Sequence, residues 1–210
     1  GGIKTRHVKQ ELSRAPVFRF DEIEEAMAFL KTIDTRYDDI KKAAESTTRH
    51  GKLLRIDKHI IHNRVILDFI YHTAEAAGQN MVTLSTAAAC HYIVENLSGE
   101  TPLRYLLESN FNADKNPAHR SLIKGRGHHV IASFQIPNRI LKKLLRVTAD
   151  QLIEALTDKH LGSQMAGMLG MNLHTANALA ALYLALGQDV ALKASPSTPT
   201  HHNRSTWRSR

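Results

Sequence analysis

The residues best suited to chemistry stand in a few short segments. Ser109-Asn110-Phe111-Asn112-Ala113-Asp114-Lys115-Asn116-Pro117 joins turn-prone polar residues to an adjacent Asp–Lys pair and a closing proline. A solvated turn has this composition. A lysine held by neighbouring carboxylates could instead polarise a carbonyl oxygen on which negative charge develops. Gly162 to Asn177 sets glycines ahead of a helical run, a pattern able to cradle an anion. Its glycine spacing is not the dinucleotide G-x-G-x-x-G, and close helix packing through Gly and Ala is the plainer reading. His174 and Asn177 share one helix face there. Gly187-Gln188-Asp189 stops that helix, with an acid where the helix dipole disfavours one, so Asp189 is either solvated or held for a purpose.

Two further segments suit phosphate. Ala74-Glu75-Ala76-Ala77-Gly78-Gln79-Asn80-Met81 enters a long helix, and a glycine and asparagine at that point serve either simple capping or contacts to phosphate and ribose. Ser46-Thr47-Thr48-Arg49-His50 offers hydroxyls beside a cation, which suits a phosphate monoester. The histidines make no metal site. His128 and His129 would point to opposite faces of a strand, His201 and His202 stand near the C-terminus, and neither pair has ligands at metal spacing. No serine stands in a strained elbow with His and Asp partners.

The elements that must position these segments fall into two regions. Residues 16–20 alternate as a strand after a proline, and residues 21–33 follow as a helix with Asp21 as its N-cap. Residues 36–48 read as a second helix. Strand-like runs at 53–56 and 64–71 flank a turn near Asn63, a long helix spans 78–97, and 102–107 is expected to be a fourth strand. Helices interrupting four strands give an α+β unit of split β-α-β topology. Beyond it, a strand is expected over 127–135, a helix opening at Pro137, another over 148–156 capped by Thr148, and a last one over 172–186 crowded with alanine. From Lys193 the pattern gives way to Ser, Thr, Pro, His and Arg, expected to be a disordered tail over 193–210.

Composition bounds the function class. The chain has 210 residues, 42% hydrophobic and 23% charged, with a formal net charge of +8. That excludes wholesale disorder and collagen-like repeats. The single Cys90 excludes an internal disulfide and fits a reducing, cytoplasmic compartment. No apolar run approaches the ~18 residues of a membrane-spanning helix, so no membrane segment is expected. The basic residues are scattered and no nucleic-acid module appears, so no nucleic-acid partner is expected. The chain begins Gly-Gly-Ile without methionine, which suggests a processed product or a fragment; an anchor upstream would lie outside it.

Taken in order, the segments resemble the catalytic domain of the 3-hydroxy-3-methylglutaryl-CoA reductase (HMG-CoA reductase) family. The specific pieces are Asp114-Lys115-Asn116-Pro117-Ala118, Lys124-Gly125-Arg126-Gly127, Gly162 to Asn177 and Ala185 to Ala191. Arg14-Ala15-Pro16-Val17 is similar to the lead into the family's small domain. Ala74 to Met81 is similar to its cofactor motif, with Glu75 where many members have Asp.

The resemblance implies a start of the large domain over 1–15 and a small ferredoxin-like NADPH-binding domain over 16–107. The remainder, 108–192, would be an incomplete part of the larger, mainly helical substrate-binding domain into which the small one is inserted. It implies NADPH as cofactor, with Thr48, Arg49 and His50 near its 2′-phosphate and Glu75, Gly78, Gln79 and Asn80 along the dinucleotide. Arg14, Asp114, Lys159 (aligned with a one-residue gap) and Asn177 would face the hydroxymethylglutaryl group or its thioester. Lys115 would be the catalytic lysine and Asp189 the aspartate that tunes it. The reaction implied is a two-step reduction of HMG-CoA to mevalonate and CoA, in a homo-oligomer (dimer or tetramer) when complete. The family's catalytic glutamate lies ahead of Gly1 and its thiolate-protonating histidine has no counterpart here. The alternative is therefore a non-catalytic paralogue that keeps a nucleotide or acyl-CoA site.

Overall fold

Strand β4 (Arg64–His72) is buried along nearly its whole length, as its run of Val, Ile, Leu, Phe and Tyr requires of a strand covered on both faces. The computed structural model describes residues 2–98, 103–114, 118–169 and 175–188. On one side β4 pairs antiparallel with β3 (Lys52–Ile61), from Ile61↔Arg64 to Lys52↔His72, with one irregularity between Leu53 and Arg55. On its other side it pairs with β1 (Ile3–Arg14) and β2 (Val17–Arg19) in one continuous register: Arg14 faces Phe69 and Val17 faces Ile66. Pro16 divides what is otherwise a single extended run. It has no N–H to donate, but its carbonyl still accepts from the Leu67 N–H at 3.0 Å. β5 (Arg104–Leu106) continues the sheet beside β2, and β6 (Gly127–Phe134) beside β1.

Period-two alternation sorts the faces of β4. Val65, Leu67, Phe69 and Tyr71 join one core cluster with Phe18, Leu53, and residues of α1 (Ile23–Thr35), α2 (Tyr37–Glu45) and α3 (Gln79–Leu97). The helices supply Phe29, Ile33, Ile40, Val82, Ala89 and Ile93. Small residues let α3 approach the sheet closely. Its hydroxyls are satisfied there: Tyr71 shares a hydrogen bond of 3.0 Å with Thr86, and Thr47 one of 2.9 Å with Ser85. On the opposite face Ile66 packs with Ala15 and Val17 beneath Phe111. The guanidinium of Arg55 also donates there to both oxygens of Glu11, at 2.8 and 3.0 Å. That pairing holds the Glu11 carboxyl below the usual range.

Two compact units account for the chain. One comprises His7–Asn112 and Gly125–Val130 and holds most of the sheet and α1–α3. The other draws on Gly1–Arg6, Ala113–Lys124 and Ile131 onward. It contains α4 (His119–Lys124), α5 (Asn138–Ile140) running into a π-helical turn (Leu141–Leu145), α6 (Ala149–Met165) and α7 (Thr175–Ala185). Thr148 caps α6 as expected, accepting from the Gln151 N–H at 3.2 Å while Gln151 reaches back to the Thr148 N–H at 2.9 Å.

Some local expectations shift. α1 is capped at Glu22 rather than Asp21, because the Glu25 carboxylate takes both preceding N–H groups at 3.2 and 3.3 Å. Asp21 pairs with Arg104 instead. β3 runs well past residue 56 and α6 well past residue 156. β1 is a strand where none was expected. Its Lys-Thr-Arg-His run carries no apolar alternation and is exposed, so backbone pairing rather than burial makes it a strand. No helix among the described residues is long and apolar enough to cross a membrane. Among those residues no group of three or more His, Cys, Asp or Glu could hold a metal ion. Residues 193–210, expected to be a tail, lie outside the described residues.

Candidate functional site

The chain leaves β4 at His72 and turns through residues 73–78 into α3. Thr73 is buried and organises this turn: its hydroxyl donates to the Ala76 carbonyl at 2.7 Å and accepts from Gln10 Nε2 at 2.9 Å. Gln10 Nε2 also donates to the Ala74 carbonyl at 2.7 Å. Ala74 and Gly78 both take positive φ, +51° and +79°. At Gly78 no other residue fits, since a Cβ there would stand 2.4 Å from Thr73 Cγ2. The tight turn delivers the first amides of α3 with no charged side chain in the opening turn of the helix. The N–H groups of a helix start and the positive end of its dipole can cradle an anion.

A second turn lies against this cradle. Thr48 Oγ1 accepts from the N–H groups of His50 and Gly51 at 3.3 and 3.1 Å, and donates to Met81 Sδ at 3.2 Å. Gly51 fits because a Cβ would come within 2.8 Å of Met81 Sδ. Thr48, Arg49 and His50, some thirty residues before Gly78, Gln79 and Asn80, are thereby held beside the first turn of α3. Arg49 is exposed and forms no ion pair with any described residue, so its fork is free to meet an anion. Glu75 is exposed in the other turn, between β4 and α3.

Arg14 joins the group from the end of β1. Its side chain is only 10% exposed; Nη1 donates to Glu108 Oε2 at 2.6 Å and Nη2 to Gln79 Oε1 at 3.3 Å. Glu108 is itself tied down, accepting from Asn112 Nδ2 and from the Asn110 N–H, each at 2.8 Å. Arg126, just before β6, donates through Nη2 to the same Gln79 oxygen at 3.0 Å. Ser109 anchors the segment by donating both its N–H and its hydroxyl to the Ala15 carbonyl, at 3.0 and 2.7 Å.

The fold therefore brings together Arg14, Thr48, Arg49, His50, Glu75, Gly78, Gln79 and Asn80. Asp114, Lys159 on α6 and Asn177 on α7 belong to the other unit, where Lys159 and Asn177 are exposed. Lys115 and Asp189 lie outside the described residues, as does His174. His128 and His7 approach each other on β6 and β1, with ring nitrogens 3.1 Å apart. Buried Cys90 is no nucleophile, because burial pushes its thiol well above the usual range. Sequence reasoning gave no role to Glu108, Arg126, Gln10 or Thr73. Each acts through pairings distant in the chain, and only the apposition of β1 with β4 could have pointed to Gln10 and Thr73.

The unit that carries this cluster is a mixed α/β structure, with an antiparallel sheet presenting the N-terminus of α3 beside Arg14, Thr48, Arg49 and His50. The family model for hydroxymethylglutaryl-coenzyme A reductase matches residues 1–204, and the chain belongs to that family. A 3-hydroxy-3-methylglutaryl-coenzyme A reductase of Haloferax volcanii is 39% identical over 193 residues, 91% of this chain and 47% of its own length. That of Methanothermobacter thermautotrophicus is 38% identical over 194 residues, 91% of this chain and 48% of its own. The reductase structure from Streptococcus pneumoniae aligns over 91% of this chain and 50% of its own with TM-score 0.53 at 17% identity, a likeness of fold. The chain spans about half the length of these relatives.

Proposed function

We propose that this chain carries the NADPH site and part of the acyl-CoA site of an HMG-CoA reductase, which reduces 3-hydroxy-3-methylglutaryl-CoA in two steps to mevalonate and CoA. One observation supports this reading above the others: the Thr48–His50 turn packs on the first turn of α3 at Met81. The residues that would read the 2′-phosphate therefore adjoin those that would hold the pyrophosphate. The cofactor fits the donor set. Gly78 is a cradle that any Cβ would fill, the opening amides of α3 offer N–H donors, and Arg49 supplies a bidentate cation. NADPH supplies the hydride equivalents when bound.

In this reading residues 16–107 form the small ferredoxin-like domain. The strand order β5-β2-β4-β3, with helices between β2 and β3 and between β4 and β5, is that of a split β-α-β unit. Residues 1–15 and 108–192 belong, in this reading, to the larger domain. The guanidinium of Arg14 orients the acyl group, a role the family resemblance also assigns to Asp114, Lys159 and Asn177. The ammonium of Lys115 stabilises the oxyanion as the thioester carbonyl is reduced, and the carboxylate of Asp189 favours the protonated lysine and its proton exchange. We place the protein in the cytoplasm, with the complete enzyme a dimer or tetramer.

Amide chemical shifts of the chain, titrated with NADPH, test the reading. Perturbations confined to residues 48–51 and 78–82 and to the Arg14 guanidinium are expected. A saturable NADPH response that leaves these resonances in place would overturn it.

A further inference from the structure

One side chain links the two ligand sites of the proposed function. Gln79 is the first residue of α3, directly after the Gly78 cradle, so a dinucleotide held by residues 78–80 fixes its backbone. Its Oε1 accepts from Arg14 Nη2 at 3.3 Å and from Arg126 Nη2 at 3.0 Å. Two guanidinium groups converging on one amide determine its orientation, because only the oxygen can accept. Arg14 is held from its other side by Glu108, with Nη1 2.6 Å from Oε2, and Arg126 reaches the Ser13 carbonyl at 3.5 Å. Gln79 thus joins three segments distant in sequence: the start of α3, the end of β1 and the turn before β6.

We propose that Gln79 is a positioning residue through which dinucleotide and acyl-CoA bind cooperatively, with Arg126 fixing the amide of Gln79 and Glu108 fixing the guanidinium of Arg14 that Gln79 steers. The inference rests on the proposed function, since it needs dinucleotide at residues 78–80 and the acyl group at Arg14. Whichever ligand arrives first sets the Gln79–Arg14 hydrogen bond, at 3.3 Å the longer of the two to Gln79, and the second binds to an arginine or a helix start already in place. Coupling of this kind is reciprocal and typically spans fivefold or more in affinity.

Calorimetric titration of the full chain with NADPH, in the absence and presence of saturating 3-hydroxy-3-methylglutaryl-CoA, measures the coupling as a ratio of two dissociation constants. The ratio is expected to be at least about fivefold for the natural chain. It should fall towards one in Gln79→Leu and return in Gln79→Glu, which keeps an acceptor oxygen. Arg126→Met removes one donor to Gln79 without substituting any residue of α3 and is expected to reduce the ratio in part, which keeps the test decisive should Gln79→Leu unfold. A ratio near one in the natural chain with both ligands binding, or an undiminished ratio in Gln79→Leu, would overturn the inference while leaving the functional reading intact. Failure of the natural chain to bind either ligand would overturn both.

Discussion

Gly78 and Thr73 stand so close that a single methyl group between them is excluded: a Cβ on Gly78 would lie 2.4 Å from Thr73 Cγ2 and 2.6 Å from its Cβ. Thr73 cannot yield, being buried and hydrogen-bonded to both Ala76 and Gln10. Gly78→Ala adds a side chain at φ +79° as well as the clash, and should cost about 2–4 kcal/mol. Thermal unfolding should register that loss, and NADPH affinity should fall with it. An unchanged melting temperature would show that the turn relaxes freely.

The core makes a separable prediction. Phe69 is fully buried on the helix-facing side of β4, away from the polar cluster. Phe69→Ala should therefore destabilise the fold by about 3–5 kcal/mol, as buried aromatic truncations do. Urea denaturation followed by circular dichroism checks this, with a midpoint shift at constant slope as the expected outcome.

Much of this architecture is legible in the sequence, and what is not has a physical reason. The β-branched and aromatic run of β4 and the small-residue run of α3 declare a strand and a helix because burial selected those residue types. β1 does not declare itself: Lys4, Arg6 and His7 are exposed, and the strand exists through backbone pairing with partners far along the chain. The site divides in the same way. Arg49 and Gly78 stand out as a cation beside hydroxyls, suited to a phosphate, and a glycine at a helix start. Glu108 and Arg126 remain hidden because their roles arise only when they meet Arg14 and Gln79 in space.

Acid should weaken the fold through Glu11. Its carboxyl sits below the ordinary range because Arg55 donates two hydrogen bonds to it, so the pairing contributes stability above the unfolded-state value of about 4.3. That contribution is lost as pH falls through the depressed native value. Solvent screening limits it to roughly 1 kcal/mol or less. Glu11→Gln should flatten the acid limb of a stability-versus-pH curve by this amount, and an identical acid limb would remove Glu11 from the account.

Cys90 should behave as a reporter of unfolding. Burial raises its thiol pKa, so at pH 8 the native protein presents no thiolate to a disulfide reagent. Labelling should track the rate of opening and accelerate in denaturant. Prompt stoichiometric labelling in native buffer would contradict the burial of α3 against the sheet.

The central claim is that the Thr48–His50 turn reads a 2′-phosphate beside the cradle of α3. Its most direct test is the ratio of dissociation constants for NADH and NADPH, measured for the natural chain and for Arg49→Ala. The natural chain should favour NADPH by about 10–100-fold, the worth of a charge-assisted phosphate contact, and Arg49→Ala should lose most of that preference by weakening NADPH alone. Equal affinities in the natural chain, or a preference untouched by Arg49→Ala, would contradict the account.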